Sequence, residues 1–177
     1  MRRIAVCLLL VAFAGGSALG AAEQPAPKDA PAAQPSAPSG AAAGGKPAET
    51  ASAAEKGTLK SPYADYASAA EEGHQKYMAA GCNGCHGGGG GGGMGPPLTN
   101  PVWIYGKDDD TLFRLIALGS DALKKQGYAR KGSENVVGPM PPFGTIVKSD
   151  DDLWKIIAWM RSVNPSSAEG SSASAAD

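Results

Sequence analysis

A chain of 177 residues with 16 Lys and Arg against 17 Asp and Glu carries a formal net charge of −1, so it has no basic field with which to hold nucleic acid. Every Trp and Tyr falls between residues 61 and 165, which limits the chain to one core of ordinary single-domain size. No internal repeat is visible.

Residues 1–20 begin with Arg2 and Arg3, run through an apolar stretch from Ile4 to Phe13, and finish in small residues at Ala18-Leu19-Gly20. That order predicts a secretory signal peptide, and with it a periplasmic location. The apolar stretch is too short for a helix to cross a bilayer core of roughly 30 Å, so no stable membrane insertion is expected after cleavage. Cys7 leaves with the leader. Residues 21–60 are almost wholly Ala, Pro, Gly, Ser, Glu, Lys and Gln, with no aliphatic side chain larger than Ala before Leu59. Nothing there offsets the entropy of ordering, which predicts a disordered Ala/Pro-rich linker. Residues 61–165 form the expected folded domain, and 166–177 return to the linker composition as a disordered tail.

Within the domain strand signals are almost absent, so the fold class reads as all-α. Residues 69–80 are rich in Ala, Glu, Gln, Lys and Met, lack Pro, and predict a helix that Gly81 closes. Residues 109–118 place Leu112, Leu115 and Ile116 on one side, with acids at the start where the dipole favours them and Gly119 at the end. Residues 150–163 repeat the design: three Asp open the helix, Leu153, Ile156, Ile157 and Met160 form its stripe, and Asn164-Pro165 closes it. Both acid runs are expected to serve the dipole and the solvent.

With Cys7 removed, the mature chain keeps one cysteine pair, in Cys82-Asn83-Gly84-Cys85-His86. A structural zinc site needs four ligands, and the only further histidine is His74. A thioredoxin-like dithiol has no call for the following His. Covalent haem attachment needs two thiols to add across the haem vinyl groups and a His beside them to ligate iron, and the run supplies all three in order. The expected cofactor is therefore one covalent haem c, held by Cys82 and Cys85 with His86 on the metal. Export fits, because haem of this kind is attached outside the cytoplasm in bacteria.

Iron that transfers electrons with little rearrangement needs a sixth ligand, and His/Met ligation raises the reduction potential. The candidates are Met78, Met94, Met140, Met160 and His74. His74 reads as an exposed helix residue and Met160 as core. Met140 sits in Gly138-Pro139-Met140-Pro141-Pro142-Phe143, where the prolines make a stiff, non-helical segment. A stiff segment can hold a thioether at fixed distance, so Met140 is the expected ligand. The alternatives are a Met that merely fills a gap, and Met94 as the ligand instead.

These residues resemble the class I c-type cytochromes, small all-helical electron carriers with one His/Met haem, over roughly residues 68–163. The resemblance implies that Gly73 and Tyr77 pack against an aromatic on the last helix, here Trp159. It implies that the carbonyl of Pro96 accepts a hydrogen bond from His86 Nδ1, that Leu98 lies against the haem face, and that Met140-Pro141 is the axial methionine with its proline. Phe143 is expected to help Leu98 cover the ring. Trp103 and Tyr105 are candidates for donating hydrogen bonds to a haem propionate, with plain packing as the alternative. Two features depart from the family: the glycine run 87–93, expected to be mobile, and the long stretch 120–137.

The implied function is electron transfer between a redox donor and a redox acceptor, with no catalysis at the metal. The segment Trp103-Ile104-Tyr105-Gly106 with Leu112-Phe113 is similar to that of cytochromes serving quinoprotein alcohol dehydrogenases and of oxidase-linked cytochrome domains. Such a dehydrogenase is thus a candidate donor, and a terminal oxidase or another cytochrome a candidate acceptor. The alternative is a dedicated cytochrome component of a dehydrogenase complex, or a catalytic or sensor haem if the sixth site opens. Lys124, Lys125, Arg130 and Lys131 form a basic cluster that either faces an acidic partner or is simply solvated.

Overall fold

The computed structural model describes residues 44–133, 137–164 and 166; the expected leader, most of the expected linker and residues 167–177 of the expected tail lie outside them. The described residues contain helices and no strand: α1 (Pro47–Ala53), α2 (Ala67–Ala79), α3 (Asn83–His86), α4 (Asp109–Lys125) and α5 (Asp150–Ser162). The all-helical expectation holds. Among the described residues no helix is long and apolar enough to cross a membrane.

Among the described residues helix α5 packs against α1, α2 and α4. Its first turn carries three Asp, and Ser149 caps it by accepting the Asp152 amide at 3.1 Å. The expected stripe understates its burial: every residue from 152 to 161 except Lys155 is buried. Helix α2 crosses it at Gly73, where a Cβ would lie 1.9 Å from the Lys155 carbonyl oxygen, so only glycine permits the approach. One turn on, Tyr77 meets Trp159 with ring centroids 4.2 Å apart. This is the small/aromatic pair implied by the resemblance. On the other side Phe113 of α4 packs on Trp154 at 4.6 Å, with Leu112, Leu153 and Ile157 around them.

Helix α4 starts where its acids suggest, capped by Asp108, which accepts the Thr111 amide at 2.9 Å. At Gly119 the backbone leaves helical geometry (φ 77°, ψ 165°), then resumes through Lys125. Gly119 thus breaks the helix without ending it, and the first turn and a half of the stretch 120–137 is helical. The expectation that both acid runs face solvent needs correcting for Asp110 and Asp150, each only 2 % exposed. Asp110 accepts from Arg114 Nε at 2.9 Å, from the Leu59 amide at 3.2 Å and from the Tyr128 hydroxyl.

The linker expectation for residues 21–60 needs correction over its last part. Residues 44–60 are ordered, and α1 packs on α4 and α5 with Ala51 completely buried. Disorder was expected because large apolar side chains are missing. The structure instead uses small side chains, which bring the backbone close, and polar groups of the main domain, which satisfy it. Arg114 alone donates to the carbonyls of Ala51, Ala54 and Glu55.

Candidate metal centre

Helix α2 ends in a left-handed Gly81, with the Gly81 amide donating to Met78 O at 3.1 Å and the Cys82 amide to Tyr77 O at 3.2 Å. This paired closure of a helix C-terminus fixes where Cys82 emerges. The single turn of α3 follows at once, with the Cys85 and His86 amides both donating to Cys82 O. Residues three and four apart share a helix face, so Cys82, Cys85 and His86 present their side chains together. Among the described residues both thiols are free. Burial pushes the Cys82 thiol up to about 11.

His86 is buried, with Nδ1 2.8 Å from Pro96 O. A carbonyl oxygen only accepts, so the proton sits on Nδ1 and the Nε2 lone pair is left for a metal. Gly95 lets the ring lie where it does, since a Cβ there would come within 2.8 Å of His86 Cε1.

A cavity of about 530 Å³ opens beside this imidazole. Cys82, Cys85, His86, Pro96 and Leu98 line it, and so do Trp103, Tyr105, Met140 and Phe143. Every residue the sequence singles out for the cofactor therefore reaches one space. Left dry, a space of this size would deprive its apolar wall of packing contacts. Left wet, it would put Leu112, Ile116, Ile156 and Met160 against water. A large apolar occupant resolves both.

The expected haem fits the polar groups as well. Trp103 Nε1 is buried and has no hydrogen-bond partner among the described residues, so a donor stands ready on the wall for a carboxylate of the occupant. Tyr105 is buried on the same wall. Two thiols, an imidazole with a bare Nε2 and a thioether form a donor set suited to a covalent haem and its iron.

Of the candidate sixth ligands, Met78 and His74 do not line the cavity. His74 is also not the exposed helix residue expected. It is half-buried, stacks on Trp159 with centroids 4.7 Å apart, and donates from Nε2 to Gly88 O at 2.8 Å. Met94, Met140 and Met160 all reach the cavity. Met94 is 60 % exposed, and Met160 is buried on α5.

Met140 is set apart by the way its backbone is held. The break at Gly119 leaves carbonyls of α4 without helical partners, and the methionine segment supplies them. Phe143 donates to Ile116 O at 2.9 Å and Gly144 to Ala117 O at 3.0 Å. The Met140 amide donates to Ser120 Oγ at 3.0 Å while the Ser120 amide donates to Met140 O at 2.9 Å. At Gly119 the positive φ and a Cβ position 2.7 Å from Met140 O both exclude other residues.

Two other residues of the site and one segment had no sequence signal or one that pointed elsewhere. Ser120 braces Met140, yet a serine after a glycine predicts nothing of the kind. Asn164, read as the start of a helix stop, is buried and donates from Nδ2 to Leu98 O at 2.8 Å and Asn100 O at 2.7 Å, which fixes the loop bearing Leu98. The glycine run, expected to be mobile, is folded onto the site: Gly92 donates to His86 O at 2.8 Å, Leu98 to Gly90 O at 2.7 Å and the Tyr77 hydroxyl to Gly87 O at 2.6 Å. Of the basic cluster, Lys124 and Arg130 reach the cavity wall, and Lys124 pairs with Asp121 at 2.8 Å.

Residues 70–164, more than half of the chain, match the family model described as Cytochrome c. No curated protein and no solved structure matches the chain. Members of that family are typically electron carriers, with a covalent haem c as the group that carries the electron. By this match, over the same stretch that builds the cavity, the chain belongs to the cytochrome c family.

Proposed function

We propose that the chain is a class I-type electron carrier exported to the periplasm, with one haem ligated by His86 and Met140. The observation that carries this reading is the convergence on one cavity of an imidazole with its proton fixed on Nδ1 and a methionine braced at both its amide and its carbonyl. When bound, the haem supplies a one-electron couple in which no atom is transferred. Cys82 and Cys85 would tether it, and His86 and Met140 would hold its iron, which would deny substrates access to the metal. Leu98, Phe143, Leu112 and Ile116 would keep water from the ring, and Trp103 Nε1 would be free to donate to one of its carboxylates.

The mouth of the cavity suits brief encounters. Val102, Val137 and Met94 line it and are exposed, giving a small apolar contact of the sort that redox partners use when release must be fast. The similarity of Trp103-Ile104-Tyr105-Gly106 to cytochromes of quinoprotein alcohol dehydrogenases makes such an enzyme the proposed donor. A terminal oxidase or a second cytochrome is the proposed acceptor.

The test is the absorption spectrum of the purified ferric protein with and without Met140→Ala. The Met–iron charge-transfer band should be present in the parent and lost completely in the variant, with a fall in reduction potential. A band that survives the substitution would transfer the ligand role to Met94.

A further inference from the structure

Residues 44–62 lie upstream of the region shared with the family, yet they touch the segment that carries Met140. Helix α1 is clasped at both ends. Toward its start the Asp150 amide donates to Gly45 O at 2.9 Å, and Thr50 Oγ1 donates to Asp150 Oδ2 at 2.6 Å. At its far end the Arg114 guanidinium answers carbonyls that a helix terminus leaves open, reaching Ala51, Ala54 and Glu55. Between these clasps Ala51 is sealed against the core.

Held in this way, α1 donates the Ala48 amide to Gly144 O at 3.3 Å. Gly144 is at the same time bound through its own amide to Ala117 of α4. The fit is tight on both sides: a Cβ on Gly144 would lie 2.7 Å from Ala117 O and 2.7 Å from Ala48 N. The methionine segment is therefore gripped between α4 and α1, four residues beyond Met140.

We propose that α1 is a strut for the Met140 segment and that Ala48, Thr50 and Ala51 are positioning residues for the sixth ligand. The proposal rests on the reading that Met140 ligates iron. Residues 140–144 can leave α4 only by parting from Ala48 as well, so the strut raises the free energy of each local opening. An added ligand such as imidazole reaches the iron only during those openings. Its binding rate to the ferric protein therefore counts them.

The experiment uses the full-length ferric holoprotein. Ala51→Gln forces a long side chain into a sealed contact, and Thr50→Val removes the Asp150 bond at nearly constant volume. Tyr63→Phe is the control: it removes the 2.6 Å bond to Asp151 from the residue directly after this segment and leaves α1 in place. Imidazole binding should accelerate about tenfold in Ala51→Gln and about threefold in Thr50→Val, and amide exchange at Phe143 and Gly144 should quicken in step. The control should stay within about twofold of the parent on both measures.

Equal acceleration in the control would reduce the effect to general stability and overturn the strut. So would unchanged binding and exchange in Thr50→Val, the variant to rely on if Ala51→Gln fails to fold. If the parent itself lacks the Met–iron band, the ligation reading fails and the strut's effect on iron fails with it. The exchange measurements would still decide whether α1 grips the segment.

Discussion

Arg114→Met is expected to lower the unfolding free energy of the holoprotein by about 3–5 kcal/mol, the range for removing one partner of a buried ion pair. Arg114 and Asp110 are 3 % and 2 % exposed and lie 2.9 Å apart. The variant leaves a buried carboxylate without its cation and takes the donor from three carbonyls of the upstream segment. Denaturant titration monitored by Trp fluorescence measures the change, and a loss under about 1 kcal/mol would mean that the pair is solvated as surface pairs are. The pH dependence gives a second check. Burial pushes the Asp110 carboxyl up, but hydrogen bonds from Arg114, Tyr128 and two backbone amides outweigh it and hold the group below its ordinary range. A depressed folded pKa contributes stability above the unfolded value near 3.9, and that contribution disappears as pH falls through the folded value. The gap between parent and variant should therefore be widest near neutrality and narrow below about pH 4.

The second large effect concerns attachment. Replacing Cys82 and Cys85 together by Ala should convert a pigment retained in acidified organic solvent into one extracted essentially completely. In the variant the iron would be held only by the proposed ligands, His86 and Met140. Acid protonates the imidazole and removes one of those bonds, whereas thioethers survive. The measurement is the partition of colour between precipitated protein and solvent. Full retention in the double variant would contradict attachment at these thiols, and extraction from the parent would do so too.

Most of the domain was legible because its signals are local. The acids opening α4 and α5, the apolar spacing behind them and the Cys82–His86 run each work within one or two turns. What could not be read depends on partners distant in the chain. Alanine at 51 is as compatible with a solvated tether as with a sealed contact, and the choice is made by Arg114, sixty-three positions on. Asp110 and Arg114, four apart on a helix, resemble any exposed surface pair until the carbonyls of α1 are laid over them. Gly119 was visible as an interruption. That its freed carbonyls would receive amides from the Met140 segment was not, because nothing in residues 109–118 records what lies twenty-seven positions later. His74 and the glycine run were misjudged together for the same reason: each is ordered by the other, through the bond from His74 to Gly88 O.

The burial of Cys82 bears on how the protein is made. Cys82 is 6 % exposed on the wall of the cavity, and burial shifts its thiol away from the reactive thiolate. Residues on the far side of the cavity, Met140, Phe143 and those of helix α5, follow Cys82 in the chain and are synthesised after it. Joining of the prosthetic group to this cysteine is therefore expected to go most readily before those later residues pack across the cavity from it.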